Sequence, residues 1–325
     1  MSASAAAAAA VSADIIRQIH RIFNEKTFNV DIIENGSNIQ FFGKDKNNKK
    51  CINLTIDLDE KKIYINELER CNAGKGPLLL DKVDELARMI QGITLIELED
   101  KSILPICGVN INLAILKILT KGESWYNSKG YYGASRDNET HNRQIINQSF
   151  KDMLSASRDV QISQFVTENA KNIIEQNIRI YEDRIKTLIE KKGDPILLQN
   201  KLSIWKSIID NYDEYIQTEV TKINQEYTFI HENAIRLDKF DESKSLYLCV
   251  SNILTLCSSF TSIESDTCNE SQHKIVELLN KIVEFMKPML WYDNSQLIKR
   301  IHSQGGATKT IKKYSKKNKK KIVVK

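Results

Sequence analysis

A glycine-containing loop, residues 71–77, is the segment whose residue types most suggest chemistry. It runs Cys-Asn-Ala-Gly-Lys-Gly-Pro, with Gly74 and Gly76 on either side of Lys75, and an apolar pattern of helical period follows it. Glycines let a backbone approach phosphate closely, and the amides at a helix N-terminus attract anions. The loop therefore fits a phosphate site. Two glycines at this spacing also occur in ordinary strand-to-helix turns, so both interpretations stay open.

Three further side chains have the chemistry to move protons. Glu67 and Glu69 lie at the end of a predicted strand, where alternation puts both on one face, and a carboxylate there could take a proton from an ammonium group. Tyr126 belongs to a run of aromatic residues, and a phenol that keeps its proton near pH 7 could act as an acid. The alternatives are surface carboxylates at a strand end and aromatic side chains packed at a domain junction.

The sequence offers no recognisable metal site or nucleophile motif. None of the five histidines has another histidine three or four residues away, the glycine loop lacks the Lys-Ser/Thr end of a Walker loop, and no Gly-x-Ser-x-Gly segment occurs. The six cysteines are widely spread and form no Cys-x-x-Cys pair. We therefore expect no metal, and free buried thiols in a reducing, intracellular setting.

Charge is concentrated at the C-terminus. The formal net charge is +5, and the segment 301–325 holds nine lysines and no acidic residue, so the rest of the chain is mildly acidic. Such a segment is expected to be disordered and able to bind non-specific nucleic acid through its phosphates. A solubilising or targeting tail is the alternative. The lysines that would contact nucleic acid are Lys312, Lys313, Lys316, Lys317, Lys319, Lys320 and Lys321.

The period of the apolar residues changes along the chain and predicts an α+β protein. A disordered, alanine-rich segment (1–12) is expected to precede a helix, and four short strands are expected to form an antiparallel meander. A helix, a fifth strand and another helix follow the glycine loop. The predicted bounds are 13–26 for the first helix, 28–32, 39–42, 51–58 and 62–68 for the strands, then 77–91, 93–98 and 111–119.

Long stretches of helical spacing begin near residue 139 and continue to about residue 290. They predict an all-α domain over 139–300, after an α/β domain over 13–138 and before the tail at 301–325. One apolar stripe at helical spacing is expected to be core, with an exposed partner surface as the alternative. Its members are Trp205, Ile208, Ile209, Tyr212, Tyr215 and Ile216.

Composition narrows the class of protein further. Of the 325 residues, 41% are hydrophobic and 27% charged, which allows a packed core but a lean one. No apolar run reaches 18 residues, so no membrane-spanning helix and no membrane partner are expected. The N-terminus has no basic start and no real apolar core, which is unlike a secretory signal.

The order of elements over about residues 13–133 resembles a GNAT-type N-acetyltransferase. Gly74-Lys75-Gly76 resembles the core of that family's phosphate loop, and Tyr126, Gly130 and Tyr131 match its Tyr-x-x-x-Gly-Phe/Tyr segment. Arg70 lies one residue before the position at which the family has Gln or Arg, and Cys71 occupies it. The family's closing strands after the aromatic segment have no counterpart in the sequence pattern.

The resemblance implies an acetyl-CoA-dependent acyltransferase acting on an amine, either a small molecule or a protein. Glu67 or Glu69 would be the base, and Tyr126 would protonate the leaving coenzyme thiolate. The pyrophosphate would lie on the backbone of the loop after the fourth strand. The residues implied in coenzyme binding are Leu68, Arg70, Cys71, Gly74, Lys75 and Gly76.

A second resemblance concerns the source of the chain. Its abundance of Asn, Ile and Lys, its lysine tail and the stretch 116–131 resemble proteins of large cytoplasmic DNA viruses, which implies a host cytoplasm, viral factory or virion setting. Two hypotheses therefore stand together. One is an acetyl-CoA-dependent enzyme, and the other is a non-catalytic structural or interaction protein that uses its helices for protein contacts and its tail for nucleic acid.

Overall fold

The computed structural model describes residues 3–24, 26–69, 71–74, 76–133, 138–166, 168–258, 268–293 and 296–301. The chain divides into two compact units, residues 1–99 with 295–325, and residues 100–294. The predicted α+β class is confirmed. The division falls after Glu99, whereas the sequence pattern places it near residue 138, because the strands and helix after residue 100 pack into the helical core.

The first unit contains most of the sheet. Its elements up to residue 99 are α1 (Ala3–Ile22), β1 (Asn29–Asn35), β2 (Asn38–Lys44), β3 (Lys50–Asp57), β4 (Lys62–Leu68), α2 (Gly76–Met89) and β5 (Leu95–Leu98). Helix α1 begins ten residues before the predicted start at Ala13, since alanine has the highest helix propensity and can extend the helix back to Ala3.

The second unit is mainly helical. Its elements are β6 (Ile103–Ile106), β7 (Val109–Asn112), α3 (Leu113–Lys121), α4 (Asn138–Ile146), α5 (Phe150–Val166), α6 (Glu168–Glu190), α7 (Ile196–Asp210), α8 (Tyr212–Ile235), α9 (Leu246–Ser258) and α10 (Glu270–Met286). The chain then returns to the first unit and forms β8 (Leu297–Arg300).

The sheet has six strands in the order β1-β2-β3-β4-β5-β8. The predicted antiparallel meander of β1 to β4 is confirmed, with Asn35 opposite Asn38 across the first hairpin. Strand β5 runs parallel to β4, and α2 makes the connection that a parallel pair requires. Strand β8 pairs antiparallel with β5 at the end of the sheet, and the sequence pattern did not indicate this strand.

Alternation along the strands explains the core of the first unit. In β2 every second residue is buried, including Ile39 and Phe41, and the buried face of α2 includes Leu79, Val83 and Leu86. The last strand is also tied to this unit by an ion pair, in which the Lys299 ammonium contacts the buried Asp84 carboxylate of α2.

The core of the second unit centres on α10. This helix starts with a capping box formed by Asn269 and Gln272 and packs against α3, α5, α8 and α9. The hairpin of β6 and β7 adds Ile106 and Ile111 to the same core. Its turn, Cys107-Gly108, has positive φ at both residues, which matches the twist of paired strands. Sequence patterning missed this hairpin because each strand has only four residues.

Among the described residues no helix is both long enough and apolar enough to cross a membrane.

Replacing a leucine on α10 tests the position of this core. Leu279 is fully buried, whereas Leu248 on α9 is 44% exposed. We expect Leu279→Ala to lower the free energy of unfolding by about 2–5 kcal/mol, because the substitution removes buried methyl groups and leaves a cavity. Leu248→Ala should cost no more than about 0.5 kcal/mol. Urea unfolding followed by circular dichroism measures both, and equal midpoints for the two variants would contradict the assignment.

Candidate functional site

The loop after β4 is closed by its own hydrogen bonds. Cys71 and Gly74 form a bridge in which each backbone N–H donates to the other's carbonyl oxygen, both at 3.3 Å. The N–H of Asn72 donates to the Asp45 carboxylate at 3.1 Å. Three of the four amides in Cys71–Gly74 therefore have an acceptor within the protein, and one of them, that of Gly74, is an amide that the predicted phosphate site would need free.

Asp45 holds this loop against the turn between β2 and β3. Its other carboxylate oxygen accepts the N–H groups of Asn47 at 2.9 Å and Lys49 at 3.0 Å, and the residue is almost fully buried. Burial raises the pKa of Asp45, but the N–H groups of Asn72, Lys49 and Asn47 together outweigh burial and bring the pKa below its ordinary value. The carboxylate is therefore charged at neutral pH and would repel a pyrophosphate at this loop.

The cysteine prediction was wrong for four of the six residues. Cys51 is disulfide-bonded to Cys71 in the first unit, and Cys107 to Cys268 in the second. Cys249 and Cys257 remain free and buried, and burial raises the pKa of their thiols to about 11 and about 12. Both thiols are therefore protonated at neutral pH and unreactive, because the thiolate is the nucleophilic form of cysteine.

One group of potential metal ligands lies beside the loop. Ligand atoms of Asp45, Cys51 and Cys71 all lie within 4.8 Å of one another. The two sulfur atoms are bonded to each other, however, and the carboxylate oxygens already accept three backbone N–H groups. This cluster therefore joins the loop to the sheet and does not fit a bound cation, since cysteine binds a metal as a thiolate and a disulfide provides none.

The two predicted bases lie on the strand that leads into the loop. Glu67 is opposite Asn53 of β3, and its carboxylate lies 3.6 Å from the Lys50 ammonium. Glu69 is exposed, and its backbone N–H donates to the Cys51 carbonyl. Both residues are thus carboxylates at a strand end, one of them in a surface ion pair.

The remaining coenzyme-binding candidates have varied positions. Leu68 is half-buried opposite Ile52, and Gly76 is the first residue of α2. Arg70 and Lys75 lie outside the described residues. So do the tail lysines Lys312, Lys313, Lys316, Lys317, Lys319, Lys320 and Lys321.

Tyr126 belongs to the second unit, whereas Glu67, Glu69 and the loop belong to the first. Its ring makes edge contacts with Trp125 and Tyr131, and its backbone carbonyl accepts the Tyr131 N–H at 3.1 Å. Gly130 has a positive φ of 87° in this turn. The spacing Tyr-x-x-x-Gly-Tyr thus forms a tight turn with packed aromatic rings, as the structural alternative predicted.

A buried polar cluster surrounds Tyr126. The Asp100 carboxylate accepts the Ser102 N–H at 3.0 Å and also the Tyr292 hydroxyl. Burial, and then the negative charge of Asp100, raise the pKa of Tyr126 well above its ordinary range. Tyr126 therefore keeps its proton more firmly than a free phenol, which makes it a weaker acid toward a leaving thiolate.

The pair of helices α6 and α7 differs from the other helices of the second unit. Helix α7 has no fully buried residue. The predicted apolar stripe is divided between α7 and α8, and all of its members are half-buried instead of core: Trp205, Ile208 and Ile209 on α7, and Tyr212, Tyr215 and Ile216 on α8. Six large aliphatic side chains on α6 and α7 are 41–68% exposed, among them Ile189 and Ile196. The other four, which we call the hairpin face, are Ile173, Ile180, Leu197 and Ile204. Sequence analysis missed them, although their seven-residue spacing on each helix was the available signal.

Comparison of the chain with protein-family models, with curated proteins and with solved structures finds no match.

The role of Asp45 has a testable pH dependence. Asp45→Asn removes the charge that three backbone N–H groups bond, so we expect a lower urea midpoint at pH 7. Because the folded-state pKa lies below its ordinary value of 3.8, the stabilisation is present above that pH and is lost as the pH falls through the folded pKa. The difference between wild type and variant should therefore shrink below about pH 4.

Asp81 on α2 provides the control, since it is exposed. Asp81→Asn should leave the urea midpoint unchanged between pH 7 and about pH 3. If Asp45→Asn behaved like this control, the carboxylate would not hold the loop.

Proposed function

We propose that this protein acts by binding a protein partner through the hairpin face of α6 and α7. The observation that carries the proposal is the exposure of Ile173, Ile180, Leu197 and Ile204, which range from 41% to 68%. Single exposed aliphatic residues are ordinary, but a row of them on a packed pair of helices marks an interaction site. Burying each against a partner would contribute up to about 1.5–3 kcal/mol.

The closed loop after β4 supports an interaction protein over a coenzyme-dependent enzyme. Asn72 and Gly74 already donate their N–H groups within the protein, and the charged Asp45 carboxylate lies at the loop. A pyrophosphate would have to break these bonds and displace a carboxylate. For the tail, non-specific nucleic-acid binding remains our prediction.

A second candidate function, acetyl-CoA binding with transfer to an amine, is favoured by the shape of β4. The register between β3 and β4 shifts between Asn53 and Leu54, so Asn66 is an extra, bulged residue on β4. Pairing of β4 with β5 ends at Ile65 and Leu98, although β4 continues to Leu68. The resembling family binds its coenzyme beside a strand of this kind.

Quantitative affinity capture tests the interaction function. The tagged full-length protein and its Ile180→Ser/Ile204→Ser variant would be recovered from cells that express each, and the co-purified proteins compared by mass spectrometry. We expect a partner to be depleted about tenfold or more for the variant, because two central apolar contacts would each be worth at least about 1 kcal/mol. Equal recovery of every partner would contradict the proposal.

The matched control for this capture is Ile33→Ser/Leu248→Ser. Ile33 on β1 and Leu248 on α9 are 54% and 44% exposed, and neither lies on α6 or α7. The proteins that co-purify with this control variant should match those that co-purify with the wild type. Thermal unfolding of all three proteins checks that the substitutions leave the fold intact.

Calorimetric titration with acetyl-CoA separates the two candidate functions. We expect no saturable heat with the wild type, because the Asn72 and Gly74 amides are bonded within the protein and Asp45 is charged. Saturable heat that is lost in Asn72→Glu, where the exposed side chain of the loop gains a negative charge, would establish coenzyme binding and overturn the closed-loop argument.

A further inference from the structure

The hairpin of α6 and α7 has a coiled-coil seam. Half-buried or buried residues on α6 recur at intervals of four and three, at Ile174, Ile178, Tyr181, Ile185 and Leu188. The same spacing occurs on α7, at Leu198, Leu202, Trp205 and Ile209. Repeats of four and three place these residues on one side of each helix, so they form the contact between the two helices.

An ion pair identifies one side of this hairpin. Glu182 follows the seam residue Tyr181, and Lys206 follows the seam residue Trp205. The Lys206 ammonium lies 2.8 Å from the Glu182 carboxylate, so the positions that follow the seam meet on one side. Ile180 and Ile204 precede the same two seam residues, and therefore both emerge on the opposite side.

That opposite side carries two matching rows. On α6 the row consists of Ile173, Asn177, Ile180 and Arg184, and on α7 of Leu197, Lys201, Ile204 and Ile208. Each row has the spacing i, i+4, i+7 and i+11, which follows one face of a helix. The two rows flank a groove between two packed helices, and α7 gives this groove a length of about 22 Å for 15 residues.

The only charges in the two rows are positive. Arg184 and Lys201 are exposed, and within the part of the chain that the structure describes neither makes an ion pair. A short connection joins α6 to α7, so the two helices are antiparallel. With Glu182 opposite Lys206, Arg184 and Lys201 lie within about one helical turn of each other along the hairpin. A partner that covers the apolar rows would therefore be favoured by acidic groups at this position.

We propose that the groove binds an acidic amphipathic helix of a partner protein as a third helix. The apolar face of that helix would lie between the two rows, and its flanking Glu or Asp side chains would pair with Arg184 and Lys201. A second copy of this chain fits less well, because it would bring the same two cations toward this face. An anionic membrane fits less well, because two cations provide little attraction to a lipid surface.

This inference rests on the proposed function and names the partner class. The test uses the full-length protein and a fluorescent helical peptide of about 18 residues, with Leu at i, i+3, i+4 and i+7 and Glu at the flanking positions. Fluorescence anisotropy should show saturable binding. A twin peptide with Lys in place of each Glu should bind at least about tenfold more weakly, because it opposes Arg184 and Lys201.

Charge reversal gives the sharpest result. Arg184→Glu/Lys201→Glu should lower the affinity for the acidic peptide about tenfold and raise the affinity for the Lys peptide. The difference in affinity between the two peptides should shrink at high salt. The control Arg179→Glu/Lys186→Glu changes two exposed cations that both lie on α6, on a face other than that of Arg184. This control should bind the acidic peptide more tightly than the Lys peptide, as the wild type does.

Four outcomes of these binding and association measurements would overturn the inference. They are no saturable binding of the acidic peptide by the folded protein, equal affinity for both peptides, a dimer in sedimentation equilibrium that Ile180→Ser/Ile204→Ser dissociates, and pelleting with phosphatidylserine vesicles that requires Arg184 and Lys201. A partner captured through the hairpin face that lacks an acidic amphipathic helix would also overturn it, while leaving the proposed function in place.

Discussion

The Asp45 carboxylate connects parts of the first unit that are far apart in sequence. It accepts N–H groups from its own turn, at Asn47 and Lys49, and from Asn72 in the loop after β4. The disulfide between Cys51 and Cys71 joins the same two regions covalently. A buried carboxylate needs several donors to stay charged, and backbone amides supply them here. The loop thereby becomes part of the sheet's framework, and its amides are used for structure.

This use of the loop changes the balance between the two functional hypotheses. The bulge at Asn66 and the early end of the pairing between β4 and β5 are the observations behind the second candidate function. The Asn72 and Gly74 amides of the loop, however, are bonded within the protein, and Tyr126 lies in a packed turn beside Asp100. The irregular pairing of β4 would suit a ligand, whereas the hydrogen-bonded amides of the loop after β4 would not. Together these features are compatible with a sheet that serves as a scaffold.

The helical unit distributes its apolar side chains unequally. Helix α10 buries seven residues, including Leu279 and Ile282, and is covered on several sides by other helices. Helix α7 buries none completely, because its described packing is chiefly against α6. A two-helix hairpin can cover only the seam between its helices, so apolar residues outside the seam stay in water. The proposed partner helix would cover one of the two sides that remain.

The α+β class, the meander of β1 to β4 and the run of helices could be predicted from the sequence, because alternation and helical spacing are local properties of the chain. It also identified the loop and the aromatic turn as places of unusual residue types. It did not reveal β8, the pairing of four cysteines or the carboxylate at the loop, since each joins residues distant in sequence. Apolar spacing predicted that Trp205 and Ile209 face another element, but the extent of their burial depends on the packing of the folded chain. Burial depends on how many neighbours cover a helix, and neighbours are a property of the folded chain.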